Sequence, residues 1–217
     1  MSAPSRVVHC ADALLWLAGQ PALTGCSFVT SLPDASELPG LGVERWHGFF
    51  IDAAKLVLSR TPPEGVAIFY QTDVKRAGTW VDKAYLVQRA AEEQGAALLF
   101  HKIVCRKPAG TVTFGRAAYA HLLCFSSGLR ADLGRSTADV LPDAGKMTWV
   151  RAMGLAACRL ACRFVREQTQ TRTIVDPFCG VGTALAVANE LGLDAIGVEL
   201  NAKRARRART LLLSSDQ

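Results

Sequence analysis

The segment Thr173-Ile-Val-Asp-Pro-Phe-Cys-Gly-Val-Gly-Thr183 restricts the fold more than any other part of the chain. A short β-rich run stops at an acidic residue, a proline fixes the next φ, and glycines at 180 and 182 lead into a stretch of helical period. Glycine lets the backbone pass close to a ligand, and the free N–H groups at the start of the following helix face the same crevice. About twenty residues on, Ala195-Ile-Gly-Val-Glu199 reads as a second strand ending in a carboxylate, a position suited to accepting hydrogen bonds from two ribose hydroxyls. This pattern predicts an open α/β sheet that binds a nucleotide-like ligand at its strand ends. A different nucleotide site, or a tight strand-to-helix turn beside a surface glutamate, is the bland alternative.

The rest of the chain agrees with an α/β class. Strands are expected near 6–9, 27–30, 66–72, 97–105, 121–126, 173–176 and 194–199, with helices near 12–18, 47–59, 79–94, 147–167, 183–191 and 202–213. The strands at 97–105 and 121–126 lack a helix between them and are expected to pair antiparallel. The Gly-, Ser-, Pro- and Asp-bearing stretch at 127–145 reads as a linker between pieces that lack complete cores, so a single domain is expected over 1–217.

Asp176-Pro-Phe-Cys-Gly-Val-Gly-Thr183 followed by Gly197-Val-Glu-Leu-Asn201 resembles the first two motifs of amino-group DNA methyltransferases with the permuted, beta-class motif order, and of related RNA methyltransferases. The resemblance implies a Rossmann-like methyltransferase fold: a seven-stranded, mainly parallel sheet with one antiparallel strand. Its target-binding half (1–126) comes first and its donor half (146–217) last. It implies S-adenosyl-L-methionine as cofactor, held by Asp176, Pro177, Phe178, Cys179, Gly180, Gly182, Thr183, Glu199, Leu200 and Asn201. Val7-Val-His-Cys-Ala-Asp12 is similar to the family's strand-Asp-helix segment, which puts Asp12 beside the adenine. Lys146-Met-Thr-Trp149 stands where the family has a donor-clamping motif, which adds Lys146 and Trp149.

The catalytic tetrapeptide of that family falls on Ser31, Leu32, Pro33 and Asp34. In the family, a polar first residue and the carbonyl of the second accept the two hydrogens of an exocyclic amine, and a final aromatic stacks on the extruded base. Here a carboxylate replaces the aromatic. An asparagine-leucine-proline version occurs, by resemblance, in transfer-RNA methyltransferases acting on a guanine ring nitrogen. That chemistry needs a base, and Asp34 is the candidate.

Tyr70, Phe114 and Tyr119 are candidates for the stacking surface, although aromatics in strands serve a core as readily. Arg116 and His121, in a basic cluster around the expected hairpin, are candidates for contacts to nucleic acid. The basic residues at 203–209 read as a solvated helix face.

A net charge of +6 suits a negatively charged partner, and no run of the sequence reaches the roughly 20 apolar residues of a membrane span. The seven cysteines are odd in number and lack metal-site spacing, so they are expected as reduced core thiols in a cytoplasmic setting, with no metal. The leading expectation is a methyltransferase acting on a base in nucleic acid. RNA is favoured because 127–145 is short for a DNA-recognition region. DNA amino-methylation, a protein or small-molecule acceptor, and a non-catalytic donor-binding subunit remain alternatives, and a homodimer or activating partner is left open.

Overall fold

The computed structural model describes residues 3–38, 40–130 and 136–213. In chain order the elements are β1 (Arg6–His9), α1 (Ala13–Ala18), β2 (Cys26–Thr30), α2 (Val43–Arg60), β3 (Ala67–Gln71), β4 (Val74–Arg76), β5 (Thr79–Val81), α3 (Lys83–Glu93), β6 (Ala97–Cys105), β7 (Tyr119–Ser126), β8 (Val140–Leu141), α4 (Leu155–Gln168), β9 (Thr173–Asp176), α5 (Thr183–Glu190), β10 (Asp194–Val198) and α6 (Ala202–Thr210).

Eight strands form one sheet in the order β1-β10-β9-β2-β3-β7-β6-β8, and β4 and β5 form a separate hairpin. The five strands from β1 to β3 are mutually parallel, while β7 runs antiparallel to both β3 and β6. The C-terminal strands β9 and β10 therefore lie between β1 and β2, flanked on both sides by N-terminal strands.

The period of 2 in the strands builds both faces. Val29, Ile68, Leu122, Cys124 and Ile174 join α4, α5 and α6 in one core, and Phe28, Phe69, Leu123, Phe125 and Val175 join α1, α2 and α3 in the other. Two helical layers cover a sheet buried on both sides, which explains why its strands read as nearly continuous apolar runs.

Besides shifts of a few residues at element ends, such as α2 starting at Val43 and α6 ending at Thr210, three departures from the sequence expectations have a clear physical cause. The sheet has eight strands rather than seven, because β8 pairs parallel with β6 inside the stretch expected as a linker. Two residues are too few to leave a periodic signal. The helix expected from 79 starts at Lys83, because Ala77 and Gly78, both at positive φ (45° and 82°), make the two-residue turn of the β4–β5 hairpin. The helix expected from 147 starts at Leu155: a Cβ on Gly154 would lie 2.1 Å from the Ala144 carbonyl oxygen, so the backbone folds back on itself before the helix begins.

Helices α5 and α6 meet at Gly182, which has φ 89° and whose missing Cβ would fall 2.8 Å from Ala208 Cα. Gly182→Ala should cost about 2 kcal/mol or more from backbone strain and overlap, read as a lowered denaturation midpoint. An unchanged midpoint would contradict this packing.

Candidate functional site

The turns after β1, β10, β9 and β2 open at the same edge of the sheet, the carboxyl end of its parallel strands. They enclose a cavity of about 200 Å³ lined by Asp12, Ser31, Leu32, Pro33, Trp149, the turn Asp176–Gly180, Thr183, Glu199, Leu200 and Arg204. Most of the expected donor residues and the first three tetrapeptide residues thus face one space, although they lie far apart in the chain.

Asp176 closes the floor. Its Oδ1 accepts from Thr30 Oγ1 at 2.7 Å and from the Phe178 backbone N–H at 3.1 Å, which ties the end of β9 to the end of β2. Burial pushes its pKa up to about 7, and the Glu199 charge adds to this, while the two hydrogen bonds pull the other way. Burial also pushes the neighbouring Cys179 thiol up, which removes it as a nucleophile.

Glu199 is 8% exposed and uses Oε1 for both of its close contacts, the Asn201 N–H at 2.7 Å and Arg204 Nη2 at 2.9 Å. The Arg204 guanidinium in turn lies 5.7 Å from the centre of the Trp149 ring. That ring covers Gly180, where a Cβ would approach it to 3.3 Å. Trp149 is held by its neighbour, since Thr148 and Thr183 share a hydroxyl hydrogen bond. Asp12 caps α1, with Oδ1 accepting from the Leu14 and Leu15 N–H groups. Asn201 likewise caps α6 and lies outside the cavity lining, and Lys146 is exposed outside it.

Asp34 corrects an expectation. It is 3% exposed and surrounded by Lys83 Nζ at 2.9 Å, Arg76 Nη2 at 3.1 Å, Arg116 Nη2 at 3.3 Å and the Ser36 N–H at 3.0 Å. Burial opposes its charge, but Lys83, the Ser36 N–H and Arg116 together hold its pKa well below the usual carboxylate range. A carboxylate held ionised so firmly is a poor proton acceptor, and Asp34 does not line the cavity. Its geometry suits an organising group instead of a base.

The expected stacking residues are dispersed. Tyr70 is buried in the core, Phe114 is 92% exposed on a loop, and Tyr119 packs edge-on against His121. His121 Nε2 lies 2.9 Å from Asp73 Oδ2, and its Nδ1 lies 2.9 Å from His101 Nε2. Asp73, Asp82 and His121 bring ligand-type atoms within 4.8 Å of one another, Asp73 and His121 through their own bond and Asp82 as the N-cap of α3. Among the cysteines, Cys10 is exposed and Cys105 half-buried, so these two are not core thiols, whereas the other five are buried.

Several cavity residues escaped the sequence reading. Phe49 comes from α2, Met153 and Arg151 from the loop before α4, and Arg204 from the basic run read as a solvated face. Only the helical spacing from Asn201 to Arg204 could have pointed to the last of these.

A family model described as DNA methylase matches residues 159–210, from within α4 to the end of α6. No curated protein matches the chain. Among solved structures, TTHA0409 of Thermus thermophilus, a proposed DNA modification methylase, is similar at a TM-score of 0.71 and 21% identity, covering 94% of this chain and 92% of that one. Its complex with S-adenosyl-L-methionine gives a TM-score of 0.70 at 22% identity, with the same coverage. The PvuII DNA methyltransferase, described as cytosine-N4-specific, gives 0.74 at 15% identity, covering 97% of this chain and 88% of that one. The fold is the Rossmann-like methyltransferase fold.

Breaking the buried Asp34–Lys83 pair should be costly because it strands an ammonium. Asp34→Asn should lose about 3–5 kcal/mol in chemical denaturation at neutral pH. Because the folded carboxyl titrates below its unfolded value, the gap between the two proteins should stay full above about pH 4 and narrow only below it. A gap that closes already above pH 5 would contradict the ion-pair assignment.

Proposed function

We propose that the chain is an S-adenosyl-L-methionine-dependent methyltransferase that acts on an exocyclic amino group of a base in DNA. The observation that carries this reading is the shared cavity. Ser31-Leu-Pro33, at the end of β2, faces Asp176–Gly180 and Glu199, at the ends of β9 and β10.

The residues present fit the cofactor. Glu199 offers a carboxylate oxygen free of its two close contacts to a ribose, Asp12 offers one to an adenine amino group, and the glycine turn leaves room under Trp149. When bound, the cofactor supplies a methyl group on a sulfonium, ready for nucleophilic attack. The chain's part is to hold the attacking amine in line. Trp46 Nε1 donates to the Pro33 carbonyl at 3.2 Å, so that acceptor is engaged. The Ser31 hydroxyl and the Leu32 carbonyl then accept the two amine hydrogens and draw the nitrogen lone pair out of conjugation, and orientation supplies much of the acceleration.

The acceptor reading rests on two supports. The family description and the PvuII enzyme both name DNA, so the RNA preference expected from the length of 127–145 finds no backing in them. Methylation of a ring nitrogen that carries a proton, such as guanine N1, would need a base, and Asp34, the candidate for it, is held ionised by three cations. Cytosine N4 and adenine N6 can attack before they lose a proton: the methyl passes from the sulfonium to nitrogen, the thioether leaves, and the surplus amine proton then goes to water, so no base in the tetrapeptide is needed.

Incubation with tritiated donor, followed by hydrolysis to nucleosides, should place label in N4-methylcytosine or N6-methyladenine from DNA. Label confined to RNA, or to a ring nitrogen, would refute the acceptor assignment. The donor site has a pH signature of its own. Asp176 is protonated in the free protein below about pH 7, and a cationic ligand favours its ionised form. Donor affinity should therefore rise with pH and level off above about 7, and Asp176→Asn should flatten the profile. A slope of equal size in the variant would sink the assignment.

A further inference from the structure

Three positive charges surround Asp34, so one carboxylate leaves an excess of two. Lys83 is 3% exposed and is consumed by the pair, but the Arg76 and Arg116 side chains are 39% and 45% exposed. Each arginine gives Asp34 one terminal nitrogen and keeps the remaining donors of its planar fork. Arg76 Nε is buried and has no hydrogen-bond partner among the described residues.

The backbone fixes both arginines. Arg76 ends β4, and Arg116 sits in the loop that pairs with β4: Val74 bridges Arg116, and the Lys75 N–H donates to the Gly115 carbonyl at 2.8 Å. Neither nearby acid is bonded to the two arginines: Glu37 pairs with Arg151 at 3.2 Å, and Asp73 is engaged by the Lys83 N–H at 2.9 Å and by His121 Nε2.

We infer that Arg76 and Arg116, each tethered to one oxygen of the Asp34 carboxylate, form a phosphodiester-binding site for the backbone of the acceptor polynucleotide, next to the cavity. The inference rests on the nucleic-acid reading above and deepens it. Pro33 lines the cavity and Asp34 is the next residue, so this site occupies the place where the resembled tetrapeptide carries its aromatic. A paired guanidinium clamp on a phosphate there holds the flanking backbone while the base enters the cavity, in place of stacking on the base itself. The carboxylate tether lowers the entropy lost when the arginines engage an anion, since it already restricts them.

Fluorescence anisotropy of a fluorescein-labelled DNA oligonucleotide, titrated with the full chain at rising NaCl, tests this directly. Arg76→Ala and Arg116→Ala should each reduce the slope of log affinity against log salt by about 1, and the double variant should bind at least about tenfold more weakly. Arg206→Ala, which removes an exposed charge of α6, should change neither. Thermal melting shows whether each variant is folded, and a folded Arg116→Lys should recover part of the affinity without the bidentate geometry.

If the folded double variant binds with wild-type affinity and slope while S-adenosyl-L-methionine still binds, the clamp is refuted and the methyltransferase reading stands. If the wild type binds the donor but no oligonucleotide, the nucleic-acid acceptor and the clamp fall together. Inorganic phosphate that displaces the oligonucleotide at comparable affinity would mark a free-anion site and overturn the backbone assignment.

Discussion

The structure depends on the pairing of β2 with β9. These strands are far apart in sequence, yet they run parallel with Cys26 opposite Thr173 and Phe28 opposite Val175, and the Thr30–Asp176 hydrogen bond finishes the seam at its carboxyl end. Parallel strands cannot be joined by a tight turn, so the connection must pass over the sheet, and here it takes in most of the chain. The cavity is the gap left where the two strands end and their chains part to opposite sides. This is the crevice in which ligands of open α/β sheets bind. The seam also sets the electrostatics: Thr30 and the Phe178 amide hold Asp176 in a place where burial raises its pKa to about 7.

Asp34 does the corresponding work just past the end of β2. Its carboxylate joins three separate elements, the β4–β5 hairpin through Arg76, α3 through Lys83, and the loop before β7 through Arg116. Within its own segment it caps the short 3-10 turn Ala35–Glu37, and Glu37 Oε1 accepts from the Asp34 N–H in return. An ionised, buried group with this many partners holds its surroundings in place, and removing it leaves Lys83 buried and unpaired. The acid at position 34 therefore organises the whole wall that follows β2.

Much of the fold was legible because it rests on local signals. The strands at 6–9, 97–105 and 173–176 coincide with expectation, and the glycine turn after β9 is written in consecutive residues. What was missed depends on contacts between distant segments. The β4–β5 hairpin turns on Ala77-Gly78, and alanine at positive φ is not a recognisable turn residue. The partners of Asp34 come from three places in the chain, and no spacing rule links them. Arg204 reads as one of several surface cations until Glu199 and Trp149 are seen beside it. For the opposite reason, Tyr70 and Tyr119 looked useful by residue type alone, but the alternation of β3 turns Tyr70 into the core, and Tyr119 packs on His121.

The central claim is that the cavity at the end of the β2–β9 seam is the donor site. A crystal structure of the chain with S-adenosyl-L-homocysteine tests it most directly. The ribose hydroxyls should lie on Glu199, the adenine near Asp12, and the sulfur should turn toward Ser31 and Leu32. Ligand bound elsewhere on the chain, or bound in this cavity with its sulfur facing away from Ser31, would contradict it.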